Sequence, residues 1–339
     1  MTSVTGVSAT ESRPDPPDGE VPLRGERAGT GRSGDLLFSG SARGAGLLVV
    51  VLVVLIAAFL LSQALPALAR NEANFWTSTE WQITGDQPRF GVARLLWVTV
   101  ITSAIAMVLA VPLGVAVALF LTQYAPPWLA KPAAHMIDLL AAVPSIVHGI
   151  WGLYQFGPYL KPFQEFLATT FGFIPLFARN GSKYTDTGII FVVGFVLAIM
   201  VLPIVTALSR EVFAQTPGPH KEGALALGAT KWEMIRTAVL PFGKPGVISA
   251  SMLGLGRALG ETLAVTIILS TVADGTAWSW SVFAGGETFA SKIANNAGEF
   301  DTPQKAGAFL AAGLVLFMLT FVVNAIARIV IERRKAFVE

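Results

Sequence analysis

The sequence predicts an all-α membrane protein with six transmembrane helices, and three observations carry that expectation. Hydrophobic residues make up 53% of the 339 and charged residues only 14%, with a mean hydropathy of +0.62. A soluble domain carries about 25% charge, so most of this surface needs a solvent other than water. Residues 47–68, 95–121, 187–209 and 307–327 are uncharged runs long enough to cross a bilayer. Residues 133–156 and 246–272 add two spans that contain ionisable groups. Finally, the Lys and Arg residues near the span ends fall unevenly on the two sides.

In chain order, residues 1–42 are expected to be an unstructured tail on the cytoplasmic side. They combine Pro, Gly and mixed charge with few aliphatics, so burial cannot offset the entropy of ordering them. Residues 43–92 hold the first span and an outer loop, 93–331 the main transmembrane domain, and 332–339 a short basic tail. The inner side then gains Lys131, Arg210, Lys221, Lys231, Arg236, Lys244 and the run Arg333-Arg334-Lys335. That bias places both termini in the cytoplasm of a multi-pass protein of the cell membrane. The outer segments 70–94, 157–186 and 273–305, rich in Trp, Phe, Pro and Gly, read as ordered loops that hug the membrane.

With no cysteine, the chain has no disulfides, zinc-thiolate sites, iron–sulfur clusters or thiol nucleophiles. A formal net charge of +2 gives a nucleic-acid partner no electrostatic support. No cofactor is expected.

The loop between the fourth and fifth spans reads TPGPHKEGALALGATKWEMIRTAVLP over residues 216–241. Pro219 suits a first helical turn and Gly228 the left-handed position that ends a helix. Thr230 and Glu233 have capping-box spacing and start a second helix, which Pro241 and Pro245 are expected to close. From the residues alone this is a rigid two-helix knob, and an ordinary interfacial hairpin fits as well.

Within the fifth span, Arg257 and Glu261 are four residues apart, so one helix face would bring them close enough to pair. Gly256 and Gly260 form a small-xxx-small pair that would admit a neighbouring helix. A mid-membrane charge must face protein or a watery cavity. Two readings stay open here. The pair neutralises itself and joins helices, or Arg257 forks onto a tetrahedral oxyanion while Glu261 holds the Arg or accepts the proton of a monohydrogen anion. Thr262 completes this pathway cluster.

The loop resembles the cytoplasmic "EAA" loop of ABC-importer permeases. Glu222, Ala224, Gly228, Leu240 and Pro241 fall in register with that pattern, while Gly223 replaces its middle Ala and Ala238 its Ile. The run Gly-Arg257-Ala-Leu-Gly-Glu261-Thr262 resembles the phosphate-importer permeases in particular. Residues 141–153 (AAVPSIVHGIWGL) and the outer loop 157–186 resemble their PstC type. Together these resemblances cover roughly residues 45–335.

The resemblance implies a type I ABC-importer permease fold with one extra helix in front. It implies that the loop 217–241 docks into an ATPase through Glu222, Gly223, Ala224, Gly228, Leu240 and Pro241. The implied partners are a second, PstA-like permease, a dimer of ATP-binding subunits and an extracytoplasmic phosphate-binding protein in a bacterium. Phosphate would be moved and not altered, so the chain itself is no enzyme. It lacks a Gly-x4-Gly-Lys-Ser/Thr loop, which assigns ATP to another subunit. Alternatives are the PstA type or a sulfate or molybdate permease. From different classes come a membrane signalling scaffold and an intramembrane hydrolase built on Asp138, Ser145 and His148. The hydrolase lacks a nucleophile elbow, and its residues are stacked along one helix.

Overall fold

A computed structural model describes residues 32–85, 87–179, 187–273 and 275–335. The tail up to residue 31, the end of the outer loop 157–186 and residues 336–339 lie outside the described residues. The chain divides into one unit up to Leu55 and another from Ile56 onward.

The described part of the first unit is one stretch of helix, the beginning of α1 (Arg32–Ala69). This helix starts within the segment expected to be an unstructured tail. Asp35 in its first turn complements the helix dipole, and the apolar Leu36, Leu37 and Phe38 follow it directly.

The second unit continues with a short antiparallel hairpin, β1 (Trp81–Gln82) and β2 (Arg89–Phe90), in which Trp81 lies opposite Phe90. Next come α2 (Ala93–Leu119), α3 (Pro127–Ala141), α4 (Ser145–Trp151), α5 (Gly157–Thr170) and α6 (Ile190–Ala214). The loop helices α7 (Gly218–Ala226) and α8 (Lys231–Met234) lead into α9 (Leu240–Gly260). After α10 (Leu263–Ile268) and α11 (Phe289–Asn295), α12 (Pro303–Lys335) ends the described chain.

Among the described residues, five helical runs are long and apolar enough to cross a membrane: Gly34–Ala69, Ala93–Tyr124, Ile190–Ala214, Lys231–Gly260 and Pro303–Ile329. The predicted straight span over 133–156 is instead a broken pair, Pro127–Ala141 and Ser145–Thr170, bent by 90°. Proline explains the break. Pro144 has no N–H to donate and its ring pushes Val143 out of helical geometry, so the helix stops at Ala141 and restarts at Ser145.

The predicted span 246–272 also changes form. Its helix begins much earlier, at Lys231, and ends at Gly260, where Glu261 takes an extended conformation with ψ 122°. Pro241 does not close the second loop helix. The Leu240 N–H reaches back five residues to Ile235 O, forming a π-turn over Ile235–Val239 directly before the proline. The same arrangement precedes Pro126, where Ala125 N–H reaches Phe120 O, and Pro158, where Gly157 N–H reaches Gly152 O. The wider turn moves aside the carbonyl that the proline ring would strike, so the helix passes through Pro158 and Pro241.

The core is centred on α6, whose Val192, Val196, Val201 and Val205 are fully buried between α2 and α9. Glycines set the helix separations. A Cβ on Gly194 would lie 2.6 Å from Ile105, and one on Gly254 would lie 2.7 Å from Val201. Among the described residues of this chain no helix makes the close approach expected at Gly256 and Gly260, since a Cβ at either position meets nothing within 4 Å. The approach is made by Gly254, on another face of the same helix. The two short helices that follow the breaks, α4 and α10, pack together with Gly149 against the Ala264 backbone.

Candidate functional site

The two groups of candidate residues lie at opposite ends of one helix. The run Lys231–Gly260 is unbroken, and at 1.5 Å per residue Arg257 sits about 39 Å from Lys231.

At the loop end, local chemistry fixes the knob. Helix α7 ends with Gly228 at φ +84°, its N–H donating to Leu225 O at 2.9 Å. The Ala229 N–H donates to Ala224 O at 3.2 Å, which completes a Schellman closure. Thr230 and Glu233 form the predicted capping box: the Thr230 N–H donates to Glu233 Oε2 at 2.7 Å and the Glu233 N–H to Thr230 Oγ1 at 3.3 Å. The knob rests on its own small core of Phe213, Met234, Ile235 and Val239, with Ala118 and Leu119 of α2 and partly buried Ala224 and Leu240. Lys231 Nζ lies 4.7 Å from the centre of the Tyr124 ring and ties the second loop helix to the end of the second span.

Of the loop residues singled out in the sequence, Glu222, Gly223, Gly228 and Pro241 are exposed, while Ala224 and Leu240 face the supporting core. The largest apolar contribution to the outer face was not among them. Leu227 is 91% exposed and Trp232 56%, with Leu225 beside them. The available signal was a Leu and a Trp on either side of the Gly228 corner.

At the other end, the structure separates the predicted ion pair. Arg257 is exposed on α9 and, among the described residues, forms no hydrogen bond or ion pair. Glu261 is buried just past the helix end, and its Oε1 accepts the Ala264 N–H at 3.3 Å, which caps the start of α10. Thr262 Oγ1 donates to Gly260 O at 3.2 Å and so braces the same break. The pairing expected on one helix face fails because the chain leaves the helix at Glu261 and the carboxylate turns to the Ala264 N–H beyond the break. A guanidinium presented without a partner offers its planar donors to an outside acceptor.

The Asp138, Ser145 and His148 set does not form a catalytic arrangement. Asp138 Oδ2 lies 3.7 Å from Arg210 Nη2, the bend at Pro144 intervenes, and His148 Nδ1 lies 3.3 Å from Pro144 O.

Residues 110–336 match the family described as binding-protein-dependent transport system inner membrane component, and the chain belongs to that family. It is a multi-pass membrane permease subunit, a non-enzymatic part of a transporter. Its relatives place it among the PstC-type permeases. It is 53% identical over 299 residues to "Phosphate transport system permease protein PstC 2" of Mycobacterium tuberculosis, covering 88% of this chain and 91% of that one. To the protein named PstC in Mycobacterium leprae it is 54% identical over 273 residues, covering 80% and 85%. A solved structure of the inward-facing MetNI methionine ABC transporter is a more distant likeness, with 18% identity, 72% and 94% coverage, and a TM-score of 0.46.

Proposed function

We propose that this chain is one of two permeases of an ATP-driven phosphate importer, supplying half of the translocation pathway. The observation that carries the reading is Arg257, a cation held beside a helix break with no carboxylate on it. A charge retained within a span is costly, and leaving it without an ion pair among the described residues points to an anion as its partner. A guanidinium can bind two oxygens of hydrogen phosphate at once. The nearby Glu261 carboxylate would accept the proton that hydrogen phosphate carries and sulfate lacks.

The second homologous permease, of PstA type, would close the pathway from the other side, and an extracytoplasmic binding protein would deliver phosphate. One subunit of the ATPase pair would take the exposed Leu225, Leu227 and Trp232 face of the knob into its cleft. The knob's Schellman closure, capping box and shared small core let it move as a solid piece with the adjoining ends of α2 and α6. The unbroken helix Lys231–Gly260 would carry that movement to the break beside Arg257 and turn the pathway between inward and outward access. ATP would be hydrolysed on the partner subunits, in a bacterial cell membrane with both termini of this chain in the cytoplasm.

The test is uptake of labelled phosphate by a strain lacking this gene and complemented with it, with sulfate and molybdate uptake as controls. Restored phosphate uptake with unchanged sulfate and molybdate uptake supports the reading. Restoration of sulfate or molybdate uptake alone would overturn the substrate assignment.

A further inference from the structure

Beside the knob, on the membrane side, Val115 of α2 faces the start of α9 across an open groove of about 500 Å³. Its walls are Val115, Leu240, Pro241, Val247 and Ile248, and its charged members are Arg236 and Lys244. No carboxylate lines it, and neither cation has an ion pair among the described residues. Lys231, the other cation nearby, is already engaged with Tyr124. The π-turn at Ile235–Val239 lies directly before Pro241, so this stretch of wall is where the helix is least regular.

We propose that this groove binds one anionic phospholipid, an acyl chain lying along Val115, Val247 and Ile248 and the phosphate between Arg236 and Lys244. Three features select that occupant. The walls are aliphatic, which suits hydrocarbon and adds nothing to the binding of a free inorganic anion. The charges are both positive and unpaired, which suits an anionic headgroup. The depth also fits, because Lys244 lies thirteen residues before Arg257, about 20 Å along the helix. Arg257 at mid-bilayer would therefore put Lys244 just beyond the hydrocarbon half-thickness of about 15 Å, at headgroup level. A lipid seated here would brace the helix that joins the knob to Arg257.

The experiment uses the full chain, with the subunits that accompany it, in nanodiscs of phosphatidylglycerol and phosphatidylcholine in equal parts. Ile248→p-benzoylphenylalanine is photolysed and its adducts are identified by mass, with the same probe at Phe321 of α12 as an exposed reference. The expected result is a phospholipid adduct at 248 enriched in phosphatidylglycerol relative to 321. The enrichment should fall about five-fold in Arg236→Gln or Lys244→Gln, and further in the double variant, since each basic residue near an anionic surface contributes about 1 kcal/mol. Millimolar inorganic phosphate should leave it unchanged. A polypeptide adduct at 248 would assign the groove to a neighbouring subunit. Enrichment equal to that at 321, enrichment unaffected by the double variant, or suppression by inorganic phosphate would each overturn the lipid site. None of these readouts depends on which solute the complex transports.

Discussion

Glu261 is bonded to Ala264 and not to Arg257. Its carboxylate accepts a backbone N–H at 3.3 Å on the far side of the helix break, so its first task is to start α10. Gln at this position keeps the same acceptor oxygen, whereas Leu removes it. Glu261→Gln is therefore expected to reach the membrane at the wild-type level, and Glu261→Leu to lose about 1 kcal/mol of local stability and accumulate less. Quantitative membrane immunoblots decide between them, and equal levels for the two variants would remove the capping role.

Gly228 and Gly223 stand five residues apart in the loop and are expected to respond oppositely to alanine. A Cβ at either meets nothing within 4 Å, so crowding plays no part. Gly228 sits at φ +84°, where an L side chain costs about 1–2 kcal/mol. Gly223 lies inside α7, where alanine gains about 0.5–1 kcal/mol. Gly223→Ala should support normal phosphate uptake, and Gly228→Ala or the harsher Gly228→Pro should lower uptake per ATP hydrolysed while the chain still inserts. Undiminished coupling in Gly228→Pro would detach the knob from energy transfer.

The glycines that hold the helices together are a separate set. Gly254→Val forces a side chain into Val201 and Val205, which costs about 1–3 kcal/mol through overpacking. Gly256→Ala adds a methyl group in open space. Thermal unfolding of the purified protein should show a lowered midpoint for the first and none for the second. A drop for Gly256→Ala would mean that another chain packs tightly against that face.

The contrast shows which parts of the molecule could be read from the sequence. Spans without charge were visible because apolar length alone specifies them, and the knob was visible because Gly228, Thr230 and Glu233 act within one turn of themselves. The break at Pro144 had a local cause that the apolar run around it obscured. The break after Gly260 had none, and reading 246–272 as one helix paired Arg257 with Glu261 and misassigned the packing glycines. The passage of the helix through Pro241 depends on a π-turn whose Ile235 and Val239 pack with Phe213, and a proline reads by default as a helix stop.

The absence of native cysteine makes the orientation directly testable. His220 and Ala277 are exposed at opposite ends of the Lys231–Gly260 helix, one on the knob and one in the loop after α10. In intact cells an impermeant maleimide is expected to label Ala277→Cys and to reach His220→Cys only after the membrane is opened. The reverse pattern would invert the protein and place the knob where no ATPase could meet it.

Arg257 is the point on which the anion site stands or falls. If it served only to neutralise Glu261, Lys would substitute for it, and removing both charges would be harmless, because a buried ion pair is often dispensable. Among the described residues the geometry gives it no such partner, and on the proposed reading the charge and the planar fork serve the transported anion. Arg257→Lys keeps the charge and loses the two-pronged donor, and phosphate uptake is expected to fall at least ten-fold at matched membrane expression. Neutralising Glu261 as well should not rescue it: the double variant Arg257→Gln with Glu261→Gln should transport no better than Arg257→Gln alone. Near-normal phosphate uptake by that double variant would end the anion-site reading.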